Sequence, residues 1–219
     1  MATAFNKPMP TIGVDKYTFF KVSKDDSTGL GYEAPVSLPG TVQITPTDAG
    51  GSDSFAADNG VYCVEAYTEK MGHDIENADI PAAVEALWRG LDLKNKGMLM
   101  TGEAKTVYFG VAWRLTKADG TYRYVKYFKG AYSLGANVGG KTRPAEGASE
   151  KQTAKATYTA AKTDYNGGVY YYIDSADVTI SASSSSGSNS YKSLAEFETK
   201  FFSDMGACLD DSKITTAAA

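Results

Sequence analysis

The stretch that constrains this chain most is Val107 to Leu115, where Val107, Phe109, Val111, Trp113 and Leu115 recur at every second position without a break. Successive strand residues point to opposite faces, so this period of two specifies a strand with one large apolar face. Ala118-Asp119-Gly120 supplies turn chemistry, and Tyr122 to Phe128 returns with aromatic side chains on both faces. The spacing predicts an antiparallel pair, Thr106–Leu115 with Thr121–Tyr132, whose return strand is covered on both sides. The resulting class is mainly β (α+β).

The remaining segments extend that reading. Residues 1–14, with Pro8 and Pro10 and no periodicity, read as an arm. Lys16–Lys24 reads as a strand with Thr18, Phe20 and Val22 on one face and Tyr17 and Phe19 on the other, closed by the turn residues Asp25 to Gly29. Val36, Leu38, Val42 and Ile44 form an extended region in which Pro35 and Pro39 mark an edge or bends. Residues 45–60 read as a long loop or protruding hairpin turned by Asn59-Gly60, and Val61–Thr68 as the strand that follows. A helix is predicted over Asp79–Gly90, capped by Asp79, opened by Pro81 and ended by Gly90, with Ile80, Val84, Leu87 and Leu91 on its core face.

Residues 133–152 read as a glycine-rich charged loop. Thr153–Tyr165 and Val169–Ile173 read as a hairpin around Asn166-Gly167-Gly168. A serine-rich linker, 181–192, leads to a C-terminal helix and tail, 193–219, opened by the capping box Ser193-Leu194-Ala195-Glu196. Leu194, Phe197, Phe201, Met205 and Leu209 form its apolar stripe. Residues 15–180 constitute the expected β domain.

Composition excludes several functions. With 26 acidic against 22 basic residues and a net charge of −4, the chain lacks the clustered cations that grip nucleic acid. No apolar run approaches the roughly 20 residues that span a bilayer, so no membrane partner is expected, and Met1–Pro10 lacks the pattern of a secretion signal. Cys63 and Cys208 fit no metal-ligand spacing and read as small buried hydrophobes in a reducing compartment. The 15 tyrosines and 22 glycines point to strands and turns.

Gly135 to Thr142 satisfies G-x-x-x-x-G-K-T, the phosphate-binding loop pattern, and Val169–Asp174 mimics an acidic strand end. The pattern needs a following helix packed on a parallel sheet, whereas Pro144 and Gly147 follow and no large apolar residue comes before Tyr158. A glycine-rich loop is the reading that fits. His73, the single histidine, sits beside Asp74, but neighbours on a strand face opposite ways, so it reads as a polar loop residue. Cys63 lies in an apolar strand pattern that would keep its thiol protonated and inert. Asp48, Asp53 and Asp58 lack the calcium-loop rhythm, and the tyrosines of 165–172 suit strand packing better than a stacking platform. No catalytic residue, metal or cofactor is expected.

Several segments together resemble one family. Thr11-Ile12-Gly13-Val14-Asp15-Lys16 leads straight into the first strand, and Phe55-Ala56-Ala57-Asp58-Asn59-Gly60 has the form of an aromatic-Ala-Asp-Asn/Asp-Gly hairpin. Asp79–Gly90 ends in Leu-x-x-Gly, and Tyr108–Leu134 combines a strand, an Asp-Gly turn, Arg-Tyr-Val and Lys-Gly. Over residues 11 to 175 the chain is similar to the major tail protein family, phi13 type, of long-tailed phages infecting Gram-positive bacteria.

That resemblance implies a tail-tube-type β-sandwich or half-barrel with a flanking α-helix. Six subunits would close rings that stack into a tube and conduct genomic DNA without reading its sequence. Other tail proteins (tape measure, tail terminator and distal tail protein) would be partners. The protein would be assembled in the host bacterial cytoplasm and reside in the virion tail. Ile12, Asp48, Asp53, Phe55, Asp58, Asn59, Lys141 and Arg143 are the expected inter-subunit contacts. A reading from a different class also fits: a β-sandwich binding module, such as a virion decoration or carbohydrate-binding domain.

Overall fold

The computed structural model describes residues 8–100, 105–135, 138–144, 147, 151–181 and 190–218, apart from the side chain of Ala57. The start of the expected arm, most of the serine-rich linker and parts of the 133–152 loop lie outside the described residues. In chain order the structure runs β1 (Thr11–Asp26), β2 (Gly29–Tyr32), β3 (Val36–Ser37), β4 (Thr41–Pro46), β5 (Ala49–Ala57) and β6 (Gly60–Lys70). It continues with β7 (Gly72–Asn77), α1 (Ala82–Trp88), β8 (Leu93–Lys94), β9 (Gly97–Met98), β10 (Phe109–Lys117) and β11 (Tyr122–Ser133). The last elements are β12 (Ala154–Ala160), β13 (Tyr170–Asp174), α2 (Leu194–Ser203) and β14 (Ile214–Thr216). Strands hold half of the described residues and helices a tenth, so the fold is mainly β.

The chain forms two compact units, each drawn from segments far apart in sequence. One comprises Met1–Thr41, Tyr108–Lys129 and Lys162–Ala219, and the other Val42–Val107 and Gly130–Ala161.

In the first unit, β1 and β10 pair antiparallel from Thr11↔Lys117 to Lys21↔Phe109. The expected start of this strand at Lys16 is therefore too late, because the far end of β10 supplies ladder partners back to Thr11. A register shift between Asp15 and Thr18 places Lys16 at φ 56, a conformation that side chains with a Cβ adopt at a cost. The C-terminal part of β1 turns through Asp26, whose Oδ1 accepts from the Thr28 backbone, into β2. Beyond β2, β14 adds in parallel. On the other side β10 neighbours β11, joined across the expected turn with Gly120 at φ 79.

The aromatic residues of β11 divide as its pattern requires. Tyr124 and Phe128 join Phe20, Leu30, Tyr32 and Ala112 in a core closed by Phe197 and Phe201 of α2. On the opposite face Trp113 stacks between Tyr17 and Tyr127, with centroids 6.1 and 5.5 Å away. The α2 cap forms as predicted: Ser193 Oγ accepts from the Glu196 backbone N–H at 3.2 Å. The helix stops at Ser203, so Met205 and Leu209 of the expected stripe belong to the turns that follow.

In the second unit, β12 pairs antiparallel with the end of β11, Gly130–Ser133, and with β7, and β4 lies beyond β7. The expected hairpin of 153–165 with 169–173 does not form: β13 pairs with Arg123–Tyr127 of β11 instead. Strand β11 is long enough to offer separate ladders to β12 and β13, and each ladder is worth more than the local turn. The 163–168 turn closes on itself, with Thr163 N–H donating to Gly168 O.

Helix α1 is shorter than predicted. Pro81 is its cap residue and Asp79 makes no side-chain cap. Gly90, at φ 64, terminates it as expected. Its phase also differs: Ile80, Glu85, Ala86 and Trp88 are buried, while Val84, Leu87 and Leu91 are half-buried. The Trp88 ring lies flat on Tyr132, centroids 3.8 Å apart at 9°, and Arg89 satisfies Glu85 at 3.0 Å. That stack outweighs the aliphatic stripe in setting the helix rotation. Among the described residues no helix is long and apolar enough to cross a membrane.

Candidate functional site

The expected contact residues fall into three places. Ile12 projects from β1 with 68% of its surface exposed. Asp53, Phe55, Asp58 and Asn59 are gathered on the β5–β6 hairpin, with Asp48 at its base. Lys141 and Arg143 are exposed in the irregular segment 138–144, where Lys141 N–H donates to Gln152 Oε1 at 3.1 Å. No helix follows Thr142 among the described residues, and Ala136 and Asn137 of that glycine-rich pattern lie outside them.

Residues 45–60 resolve into β4, β5 and a tight turn. Strands β5 and β6 form a sheet of their own, in register from Ala49↔Lys70 to Ala57↔Gly60. The left-handed turn residues are Asp58 (φ 50) and Asn59 (φ 63), one position earlier than the expected Asn59-Gly60. Short polar side chains tolerate that conformation, and the pairing of Gly60 with Ala57 places it in the strand. At the base, the Asp48 carboxylate accepts from Gly72 N–H at 3.2 Å.

Every residue of β6 is exposed. Phe55, Val61, Tyr62 and Val64 each show more than 60% of their surface, and Phe55 meets Tyr62 edge-on at 6.5 Å. Cys63, expected to be buried, is exposed, since its strand pairs only with β5 among the described residues and every residue of β6 is exposed. Asp53 stands directly opposite Glu65, a like-charge pair that weakens an isolated hairpin.

A second feature is the pair of borders on the sheet of the first unit. Thr11–Lys16 of β1, β10, Tyr122–Lys129 of β11, and β13 lie side by side and alternate in direction. Among the described residues no strand pairs with the outer side of Thr11–Lys16 or of β13. Ion pairs brace both borders. Arg114 binds Asp15 at 2.6 Å and also Glu198, and these carboxylates hold its guanidinium charged. Arg123 and Lys117 clasp Asp174 at 2.7 and 2.8 Å, and the Arg123 hydrogen bond brings that carboxyl down to about 2. Tyr170 and Tyr172 project from β13, half-exposed and nearly parallel, with Arg123 over the Tyr172 ring at 5.0 Å.

Sequence reasoning missed the small β8–β9 hairpin, Leu93–Met98, turned by Asn95 (φ 47) and Lys96 (φ 67). The signal was present in Lys94-Asn95-Lys96-Gly97 between apolar neighbours. It also misplaced His73, which is buried in β7 and stacked on Tyr158 at 4.9 Å. Burial lowers its pKa to about 3, so the ring is neutral and does not act as a base near neutral pH.

A concavity of about 450 Å³ on the exposed face of β4, β7 and β12 is lined by Gln43, Thr45, Asp74, Glu76, Lys155 and Thr157. Asp74 and Glu76 accept from Thr157 and Thr153, and Glu76 also pairs with Lys155, so this surface is polar with its charges already partnered. Among the described residues no group of three or more His, Cys, Asp or Glu could hold a metal ion.

The surfaces offered are therefore sheet edges, two exposed hairpins and a polar concavity. No protein-family model matches the chain, and comparison with curated proteins gives no match either.

Proposed function

We propose that the protein is a structural subunit of the tail-tube type, which polymerises with its own copies into rings stacked as a hollow tube for DNA passage. The observation that carries this reading is the sheet β1–β10–β11–β13, in which, among the described residues, no strand pairs with the outer side of Thr11–Lys16 or of β13. Open edges are a hazard that a monomer blunts and an assembly uses. The four strands alternate in direction, so the two borders run opposite ways. Rotation about a ring axis preserves strand direction. The β13 border of one copy then meets the β1 border of the next antiparallel, and the ladder continues around a ring of any number of copies. Ring closure in this tube-type half-barrel also brings Ile12, Tyr170 and Tyr172 into the contact.

Electron microscopy of the concentrated protein tests the reading, with Ile12→Pro as the control. Ile12 sits in the register shift between Thr11 and Gly13, so proline there leaves the β10 ladder intact and blocks the outer border. Rings or tubes of uniform width are expected from the wild type, and only folded monomers from Ile12→Pro. A wild type that stays monomeric, or an Ile12→Pro protein that assembles equally well, removes the proposal.

One observation favours a binding module instead. Tyr170, Tyr172 and Arg123 together present stacking faces beside polar groups, as an oligosaccharide would require. A monomer whose tyrosine fluorescence shifts on titration with oligosaccharides would point there.

A further inference from the structure

We propose that the acidic β5–β6 hairpin of one copy docks on the basic β8–β9 turn of a second copy. The two surfaces are opposite in net charge, although Lys70 ends the hairpin and Asp92 flanks the turn. The hairpin displays Asp53, Asp58 and Glu65 around the apolar side chains of Phe55, Val61, Tyr62 and Val64. The turn displays Lys94 and Lys96 beside Leu93, Leu99 and Met100, which are 44%, 54% and 56% exposed.

Among the described residues both are two-stranded sheets that pair with no other strand, and an isolated two-stranded hairpin is marginal in water. The opposed Asp53 and Glu65 repel each other in a free hairpin, and a pair of ammonium groups reverses that term. Both surfaces are exposed in the single chain, so neither covers the other within it. The occupant is then a second copy, whose turn brings lysines to the acid pair and aliphatic side chains to Phe55 and Tyr62.

Because the two patches differ, the contact is heterologous and leaves hairpins free at one growing end and turns free at the other. It is separate from the sheet-edge closure, and it rests on the tube reading only for its place, between rings.

Charge reversal tests it. One variant carries Asp53→Lys with Glu65→Lys, and the other Lys94→Glu with Lys96→Glu; circular dichroism establishes that both fold. Sedimentation velocity and electron microscopy are read at low and high salt. Each variant alone is expected to associate at least about tenfold more weakly than the wild type, and an equimolar mixture to recover the wild-type level by pairing reversed hairpins with reversed turns. Wild-type association through this contact weakens in 1 M salt, where charges are screened within about 3 Å.

Wild-type-like assembly of either variant alone, or no recovery in the mixture, overturns the inference while leaving rings, and with them the tube reading, intact. A wild type that forms no rings but a salt-sensitive oligomer lost in both variants upholds the inference and removes the tube reading. A wild type that is monomeric at every salt concentration removes both.

Discussion

Lys126 is fully buried in the middle of β11, on the face that carries Tyr124 and Phe128. Its ammonium donates to the carbonyls of Asp204, Met205 and Ala207 at 2.8, 3.3 and 3.2 Å, and Phe201 presents its ring face at 4.1 Å. It thereby ties down carbonyls in the turns that follow α2, sharing that of Asp204 with the Ala207 backbone N–H. Burial still dominates and lowers its pKa from 10.5 to about 8, against the opposing influence of Cys208 and Asp204.

Between pH 8 and 10.5 the unfolded chain therefore holds a proton that the folded chain has shed, so this residue's contribution to stability rises with pH across that window. Buried tyrosines and Cys208, whose protons burial retains, pull the other way. The measurable quantity is thus the difference in urea-unfolding free energy between wild type and Lys126→Met. That difference should shift in favour of the wild type by up to about 1.4 kcal/mol per pH unit over the window; a flat difference would contradict the cage.

His73 has the same sign at lower pH. With its pKa lowered from 6.5 to about 3, it contributes stability that is present above pH 6.5 and lost as pH falls toward 3. His73→Phe, which keeps a ring against Tyr158, should flatten the acid limb of the pH–stability curve between those values.

Among the elements, α2 is the one whose ends are set by hydrogen bonds that can be removed singly. Ser193→Ala leaves the Glu196 N–H without its partner and should cost about 1 kcal/mol, read as a lower urea midpoint at unchanged slope. Strand β13 shows why an element's partner is harder to foresee than its existence. Its alternation is visible in the sequence, with Tyr171 and Ile173 packing against the core while Tyr170 and Tyr172 point outward. Nothing local tells β13 that Arg123–Tyr127, some fifty residues earlier, is its partner rather than the strand next to it in the chain.

At the scale of the whole molecule, both units depend on segments from either side of residue 107. The first unit needs β1 from the beginning of the chain to cover β10 and β11, and the second needs β12 to pair with β7. Fragments 1–107 and 108–219 should each be unfolded alone, without a cooperative urea transition, and should recover β-sheet circular dichroism when mixed. A cooperative transition in either fragment alone would show that its unit needs less of the chain than the pairing implies. Such long-range pairing also predicts slow folding, because loop closure must precede the contacts that offset its entropy.

The amino-acid sequence by itself determined what neighbours along the chain decide. The period-two strand β10, the Asp119-Gly120 turn, the Gly90 helix end and the Ser193–Glu196 cap are each set by residues within a few positions of one another. It also marked the 45–60 region as a long loop or protruding hairpin, because turn chemistry such as Asn59-Gly60 is local, and the turn lies one position earlier. Only the tertiary structure decided the burial of His73, the exposure of Cys63, the rotation of α1 and the pairing of β13. In each case what lies far along the chain decided against the local pattern: Tyr158 covers His73, β6 is left exposed, Tyr132 captures Trp88, and β11 has a second ladder free. Side-chain periodicity states which face of an element is apolar, but the identity of what covers it is a sum over long-range contacts that no short window of sequence contains.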